Sequence, residues 1–214
     1  GSADTWLNRA DYCMDMAVGA PPDPFSPTGQ NWDLPPLNPM MLKHTGYEKF
    51  VRLLRENMRL YGILRIDHVM ALCRLWWVAG KTADFGAYVH YDADVMFAIL
   101  ALESRRNQCV VIGEDLGTVP DQARYLLNRY QVFSYKVVYF SKGWHGFELP
   151  EEYPEQAITV VSTHDVAPLA GYWTGKDLDL MFRLGTIPDA ETFQTTLEAR
   201  EHDKADLFDK LKHA

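Results

Sequence analysis

Three acidic residues each close a short apolar run of this chain. Asp67 ends GILRID, Glu114 ends CVVIGE and Asp165 ends ITVVSTHD. Short runs rich in Val and Ile, bounded by polar or turn residues, are typical of buried parallel strands. Barrel and open α/β enzymes keep their chemistry at the carboxyl ends of such strands. The pattern therefore predicts three carboxylates presented at one mouth.

Carboxylates presented in this way suit the breaking of a glycosidic bond. Retaining glycosyl transfer uses one carboxylate as nucleophile and a second carboxyl group as acid and then base, about 5 to 5.5 Å apart. Arg65 precedes Asp67 by two positions, so on a strand it faces the same side and favours the ionised carboxylate that a nucleophile requires. His164 precedes Asp165, and such a pair can hold two adjacent hydroxyls of one sugar ring.

Other readings of these residues compete with the catalytic one. An acid at a strand end can cap the next helix or pair with a surface lysine, and for Asp67 alone that explanation is as good. The occurrence of three such acids in order favours catalysis. A metal site built from His68, His164 and the acids is a further reading, but the chain has no HExxH pair or other close ligand spacing, so we predict no metal. GEDLGT and SPTGQ lack the lysine and spacing of a phosphate-binding loop.

Helical segments alternate with the predicted strands. Apolar positions recur at helical spacing over 47–60, and a second helical run spans 92–108. VPDQARYLLNRY is a short helix with Pro120 in its first turn, SYKVVYF is a further strand, and 177–214 is a solvated helical tail. HVMALCRLWWVAG and a polar insertion through His90 lie between the first strand and the second helix.

The segment 19–39 holds most of the proline of the chain. Because proline fixes φ and removes a donor, we predict an ordered irregular loop here rather than a regular element. Loops of this length in a compact domain are usually lids or binding loops.

The predicted fold is α/β, a partial TIM (β/α)8 barrel of central to late strands. A complete barrel has eight strands, and four are visible here. We therefore expect 1–214 to form one incomplete catalytic domain, whose open edges favour self-association.

Charge and cysteine content limit the kinds of partner and the cellular location expected for the chain. The chain has 214 residues and a net charge of −8, from 21 basic and 29 acidic residues, which argues against nucleic acid or an anionic membrane. Cys13, Cys73 and Cys109 are odd in number and form no CxxC pair, so we expect no disulfide framework and a cytoplasmic location. No apolar run reaches membrane-spanning length.

Several motifs together resemble a known family. LRIDHVM, GEDLGTVP, STHD and GAPPDPFSPTGQNWDLPP are similar to the bacterial 4-α-glucanotransferases, also called amylomaltases or disproportionating enzymes, as are WWVAGKTADFGAYVHY and SYKVVYF. The resemblance runs along essentially the whole chain. It implies a TIM-barrel domain, maltooligosaccharides and other α-1,4-glucans as substrates, and no cofactor.

The resemblance also implies roles for particular residues. Asp67 would be the nucleophile, Glu114 the acid/base and Asp165 the stabiliser of the transition state. Arg65, His68 and His164 would contact the sugar at the cleavage point. The proline-rich loop 19–39 would lie over the groove, which makes Asp23, Gln30, Asn31 and Trp32 candidate glucan contacts.

Two positions depart from the family pattern. Asp33 stands where the family usually has glycine, and Asp is among the few tolerable replacements if that position takes φ > 0. Val166, Ala167 and Pro168 follow the THD motif in place of Leu-Pro-Thr, which moves the proline by one residue.

Two alternative functions remain open at this point. The same three acids serve an α-glucan hydrolase of the same superfamily. The 214-residue chain taken by itself is also compatible with a non-catalytic glucan-binding or folding fragment, because half a barrel lacks part of the walls that hold its acids.

Overall fold

The computed structural model describes residues 3–23 and 26–212. Pro24 and Phe25 of the predicted loop 19–39 lie outside the described residues, as do 1–2 and 213–214 of the predicted domain. The contacts of the chain group it into two compact units, Gly1–Ser134 and Tyr135–Ala214.

The first unit mixes helices and strands. In chain order its elements are α1 (Ala3–Leu7), β1 (Ala17–Ala20), β2 (Gln30–Asn31), α2 (Pro39–His44), α3 (Glu48–Met58), β3 (Ile63–Ile66), β4 (Arg74–Val78), β5 (Gly86–His90), α4 (Ala93–Asn107), β6 (Val110–Gly113) and α5 (Asp121–Arg129), with 3-10 turns at Arg9–Asp11 and Val69–Leu72.

The two predicted strands of this unit pair in parallel. β3 and β6 run side by side from Ile63 opposite Val110 to Ile66 opposite Gly113, and the bridge between Ile112 and Phe133 continues the sheet on the far side of β6. The parallel pairing is therefore confirmed. Full burial is wrong for β3, which is exposed at Ile63 and half-buried beyond it, whereas most of β6 is buried. The described partner of β3 lies on one side, which leaves the strand less covered than a central one.

A four-stranded antiparallel sheet was not predicted from the sequence. Its order is β2-β1-β4-β5, with Val18 opposite Trp77 and Trp76 opposite Tyr88. The prediction of a wholly irregular loop over 19–39 is accordingly wrong at Gly19 and Ala20, which end β1, at β2, and at Pro39, which begins α2. Proline is compatible with this hairpin because the prolines lie outside its paired residues.

The three predicted helices of this unit are confirmed as α3, α4 and α5. Phe50, Leu54 and Met58 recur every fourth position of α3 and are buried, as the helical period requires. Asp92 caps α4 by accepting the Val95 N–H. Pro120 lies one position earlier than predicted, at the N-cap of α5. The buried faces of these helices form one apolar core with the segment that follows β3.

A buried carboxylate ties α3 to α4. Glu103 is 1% exposed, and Arg55 donates to both of its oxygens at 2.7 and 2.9 Å while Arg106 donates from 2.9 Å. The hydrogen bonds from Arg55, followed by those from Arg106, hold the pKa of Glu103 below its ordinary value despite burial.

The second unit contains three helices and short strands. They are β7 (Ser134–Val137, whose first residue closes the first unit), β8 (Lys142–Gly143), β9 (Gly146–Phe147), β10 (Ala157–Val160), α6 (Leu169–Thr174), α7 (Lys176–Arg183) and α8 (Ala190–Lys212), with 3-10 turns at Val138–Phe140 and Pro150–Glu152. β7 pairs with β10, and β8 with β9. The predicted helical tail is confirmed as α7 and α8, which are mostly exposed. None of the helices described is both long and apolar enough to cross a membrane.

Candidate active site

Asp67 follows the last residue of β3 and carries an ion pair. Arg65 Nη1 donates to Asp67 Oδ1 at 2.6 Å, as the spacing of two along a strand predicts. The Asp67 side chain is 73% exposed, whereas that of Arg65 is 31% exposed. The result is an accessible carboxylate with a cation fixed beside it.

Glu114 follows the last residue of β6 and is held by backbone amides. The His68 N–H donates to Glu114 Oε2 at 2.7 Å, and the Leu116 N–H donates to Oε1 at 2.8 Å. Its own N–H donates to the Ile66 carbonyl at 2.8 Å, and its carbonyl accepts the Val69 N–H at 2.9 Å. The ends of β3 and β6 are therefore joined at Glu114, and the direction of its carboxylate is set by main-chain atoms. Each carboxylate oxygen keeps a further lone pair for a ligand.

Gly113 is where β6 passes close to the turn after β3. A Cβ at Gly113 would lie 2.9 Å from Val69 Cγ2, closer than real Cβ contacts come, and 3.0 Å from Val69 Cβ and Cγ1, which is tighter than most of them. Glycine at this position allows the fully buried Val69 to pack directly on the backbone beside Glu114.

His68 lies between the two acids in an unusual backbone conformation. Its φ is +47° and its ψ is +61°, which is the left-handed region that non-glycine residues rarely adopt. Burial lowers the pKa of His68 below its ordinary value, and the negative charges of Glu114 and Asp67 oppose that shift. The Trp32 and His68 rings meet in a T-shaped arrangement, with a centroid distance of 5.3 Å and an interplanar angle of 79°.

The β1–β2 hairpin supplies Trp32 and the other predicted loop residues. The Trp32 indole N–H donates to Gln30 Oε1 at 3.0 Å. Asn31 Nδ2 donates to the Gly80 carbonyl at 3.3 Å, while Asn31 Oδ1 accepts the Asp33 N–H at 2.9 Å. Asp33 has φ +54°, so the condition under which Asp can replace glycine is met.

Asp23 lies in a turn of the same hairpin. Its Oδ1 accepts the Ser26 N–H at 2.6 Å, and its own N–H donates to the Ser26 carbonyl at 3.0 Å. The structure thus brings Trp32 into contact with His68. The hydrogen bonds between Asp23 and Ser26 are local, since they join residues three positions apart.

His164 and Asp165 lie in the second unit. The prediction that Asp165 closes a strand is wrong, because β10 ends at Val160 and the two residues form a turn further along. Thr163 causes the turn: its hydroxyl accepts the Asp165 N–H at 3.1 Å, which gives the backbone an alternative to the sheet. His164 Nε2 lies 3.3 Å from Asp165 Oδ2, and both side chains are exposed.

These two residues line a cleft of 840 Å³ whose other walls the sequence did not indicate. The rings of Tyr139 and Tyr172 stack at 4.2 Å, and the Arg200 guanidinium lies 3.6 Å from the Tyr172 centroid. Arg200 also donates to both oxygens of Asp177, at 3.0 and 2.8 Å. Burial raises the pKa of Tyr172 to about 12. No sequence signal links these residues, because they come from a 3-10 turn and three different helices.

The described part of the chain contains no group of three His, Cys, Asp or Glu side chains placed to hold a metal ion.

Comparison with known proteins decides the family. The family model described as 4-alpha-glucanotransferase matches residues 1–214. The chain belongs to the 4-alpha-glucanotransferase family. Among curated members, the 4-alpha-glucanotransferase of Haemophilus influenzae is 49% identical over 212 residues, which are 99% of this chain and 30% of that protein. The enzyme of the same name from Mycobacterium bovis is 37% identical over 217 residues, covering 98% of this chain and 30% of that protein.

Solved structures of the 4-alpha-glucanotransferase family agree. The crystal structure of amylomaltase from Corynebacterium glutamicum matches with a TM-score of 0.90 at 33% identity, over 96% of this chain and 30% of that one. Amylomaltase from Streptococcus agalactiae in complex with acarbose matches in fold, with a TM-score of 0.72 at 23% identity, over 92% of this chain and 43% of that one. The chain thus spans about 30% of the length of the curated relatives named above.

Proposed function

We propose that this chain is the central catalytic segment of a 4-α-glucanotransferase, which moves α-1,4-glucan segments between maltodextrins. The observation that carries the proposal is the junction at the ends of β3 and β6. Ile66 and Gly113 are paired, so the two acids that follow them leave adjacent parallel strands at the same end. Membership of the family supplies the substrate class.

In this proposal β3, β6, β7 and β10 are strands of a (β/α)8 barrel, of which 1–214 is an incomplete part. Helix α4 precedes β6 and helix α5 connects β6 to β7, which supports the assignment, since parallel strands connected by helices are the repeating unit of such barrels. Residues 19–39 act as a lid over the groove. Exclusion of water by a lid is what lets transfer compete with hydrolysis.

The first chemical step is attack by the Asp67 carboxylate on the anomeric carbon of the donor. The bond from that carbon to the glycosidic oxygen breaks, and the departing oxygen takes a proton from Glu114. A glycosyl ester of Asp67 results. Arg65 supports this step because its guanidinium donates to Asp67 Oδ1 at 2.6 Å and so orients the carboxylate before attack.

The second step reverses the roles. The 4-hydroxyl of an acceptor glucan gives its proton to Glu114 and attacks the same anomeric carbon, which releases Asp67. Asp165 stabilises the positive charge that develops on the sugar in both steps. Arg65, His68 and His164 contact the sugar, and Asp23, Gln30, Asn31 and Trp32 contact the glucan from the lid.

The location and state of the chain belong to the same proposal. The cysteines of the chain, Cys13, Cys73 and Cys109, are free, which fits a reducing cytoplasm. Ile63 and Val110 are 56% and 45% exposed, so the 214-residue chain by itself presents apolar strand ends that favour self-association. We expect that isolated chain to be inactive.

The test uses the full-length protein with maltotriose. We expect longer maltodextrins together with glucose, and a set of shortened products alone would show a hydrolase instead. Glu114→Gln should reduce transfer by about 100-fold or more, in line with the loss of general acid–base catalysis, while glucan binding persists. Near-normal transfer by that variant would refute the role of Glu114. Robust transfer by the purified 214-residue chain would refute its expected inactivity.

A further inference from the structure

Trp32 contacts the catalytic strand through a residue that itself holds Glu114. The Trp32 ring meets the side chain of His68 edge to face at 5.3 Å. The backbone N–H of the same His68 donates to Glu114 Oε2 at 2.7 Å. One residue thus carries both the contact with the β1–β2 hairpin and the hydrogen bond to the acid/base.

The hairpin is held in place by its own polar side chains. Gln30 Oε1 accepts the indole N–H of Trp32, which fixes the plane of the ring. Asn31 joins the hairpin to the β4–β5 turn through the Gly80 carbonyl and supports the following residue by accepting the Asp33 N–H. Gln30 therefore uses its side-chain oxygen to orient Trp32, while Asn31 holds the hairpin to the β4–β5 connection and to the residue after Trp32.

Two successive amides reach Glu114 because His68 adopts an uncommon conformation. With φ at +47° and ψ at +61°, the chain turns at His68 so that its own N–H donates to Glu114 Oε2 and the N–H of the next residue, Val69, donates to the Glu114 carbonyl. A non-glycine residue keeps such a conformation only when its surroundings impose it. The described surroundings of the His68 ring include Trp32, and those of the next residue include the Glu114 carbonyl, which accepts the Val69 N–H at 2.9 Å.

We propose that Trp32 is a positioning residue for Glu114, acting through His68, and that Gln30 orients Trp32. The inference rests on the proposed function, because it concerns the proton transfers assigned to Glu114. Trp32 keeps His68 in the left-handed conformation, and the His68 N–H then holds the Glu114 carboxyl toward the glycosidic oxygen.

A donor that needs no proton separates positioning from sugar binding. In maltosyl fluoride the Asp67 carboxylate attacks the anomeric carbon and fluoride leaves without a proton from Glu114. Azide then attacks the same carbon and releases Asp67 without giving up a proton. A residue that acts through Glu114 is therefore dispensable with this pair of reagents, whereas a residue that binds sugar is needed with both donors.

The experiment compares full-length variants with both donors. With maltotriose we expect Trp32→Ala to lower kcat about 10-fold to 100-fold, part of the range for general acid–base catalysis, with little change in KM. With maltosyl fluoride and azide its rate should stay within about threefold of wild type. Trp32→Phe, which keeps an aromatic ring against His68, should recover part of the maltotriose rate.

Two further variants complete the design. Gln30→Leu removes the acceptor of the indole N–H at an exposed site and should show the same donor dependence at smaller size, which tests the idea even if Trp32→Ala folds poorly. Trp144→Ala is the matched control, because that side chain is fully exposed at 102% and should leave both rates unchanged.

The possible results distinguish the two proposals. A wild-type protein that does not elongate maltotriose refutes the proposed function. An active wild type whose Trp32→Ala variant loses equally with both donors, or shows its loss in KM, refutes positioning and leaves Trp32 with the role of a glucan contact alone. Normal maltotriose turnover by both Trp32→Ala and Gln30→Leu also refutes it.

Discussion

Replacement of Gly113 by alanine should disturb both stability and catalysis through one contact. The added Cβ would lie 2.9 to 3.0 Å from three carbons of Val69. Carbon atoms in favourable contact are about 3.5 to 4.0 Å apart, so the added methyl is too close by roughly half an ångström or more. Val69 is 0% exposed and β-branched, which leaves it little freedom to move away.

The size of the effect follows from core packing. Overpacking of this kind costs about 1–3 kcal/mol. Val69→Ala alone removes two buried carbons at about 0.8 kcal/mol each and leaves a small cavity, for a total of about 2–3 kcal/mol. In the double variant two of the three close contacts, those with Cγ1 and Cγ2 of Val69, are absent, and the new methyl occupies part of the space that they leave. We therefore expect the double variant to be more stable than the sum of the two single changes by about 1 kcal/mol or more.

The assay is a double-mutant cycle on the full-length protein. Each variant is measured by urea unfolding and by maltotriose transfer. Because the Val69 N–H donates to the Glu114 carbonyl, displacement of Val69 in Gly113→Ala should lower kcat as well as the urea midpoint. Strict additivity of the two changes in unfolding free energy would refute the argument. An unchanged urea midpoint and an unchanged kcat in Gly113→Ala would refute it too.

Two other predictions concern His68 and Asp33. Burial lowers the pKa of His68, so the unfolded chain binds a proton at this imidazole more readily than the folded chain does. The stability that depends on neutral His68 is therefore present above the unfolded pKa and is lost as the pH falls through that value. The difference in unfolding free energy between wild type and His68→Asn should therefore shift against wild type as the pH is lowered from about 8 to about 5. A difference that does not depend on pH would contradict this. Asp33→Val should destabilise the hairpin by about 1–2 kcal/mol because Asp33 has φ +54°, whereas Asp33→Gly should be nearly neutral. Equal maltotriose rates for the two variants would count against this backbone strain.

Local patterns accounted for the helices and for the parallel pair of strands. The recurrence of Phe50, Leu54 and Met58 at every fourth position predicts α3 because this spacing reflects the helical turn itself. Val110 to Gly113 is correctly predicted as a strand because a short run of apolar and β-branched residues fits a pleated, covered surface. The antiparallel sheet was missed because β1 and β2 are short and separated by proline-containing chain, so their pairing is a property of distant residues.

Some features of the candidate site follow from local sequence, and others depend on contacts between distant segments. The amino-acid pattern predicts which acids follow strands β3 and β6, that Arg65 faces Asp67, and the family to which the motifs belong, because these depend on neighbours along the chain. Packing of distant segments is needed to see that the His68 and Leu116 amides hold Glu114, that Trp32 contacts His68, and that Asp165 lies in a turn beyond its strand. The physical reason is that backbone direction and ring contacts depend on which distant segments pack together, and the residue types at each position leave that choice open.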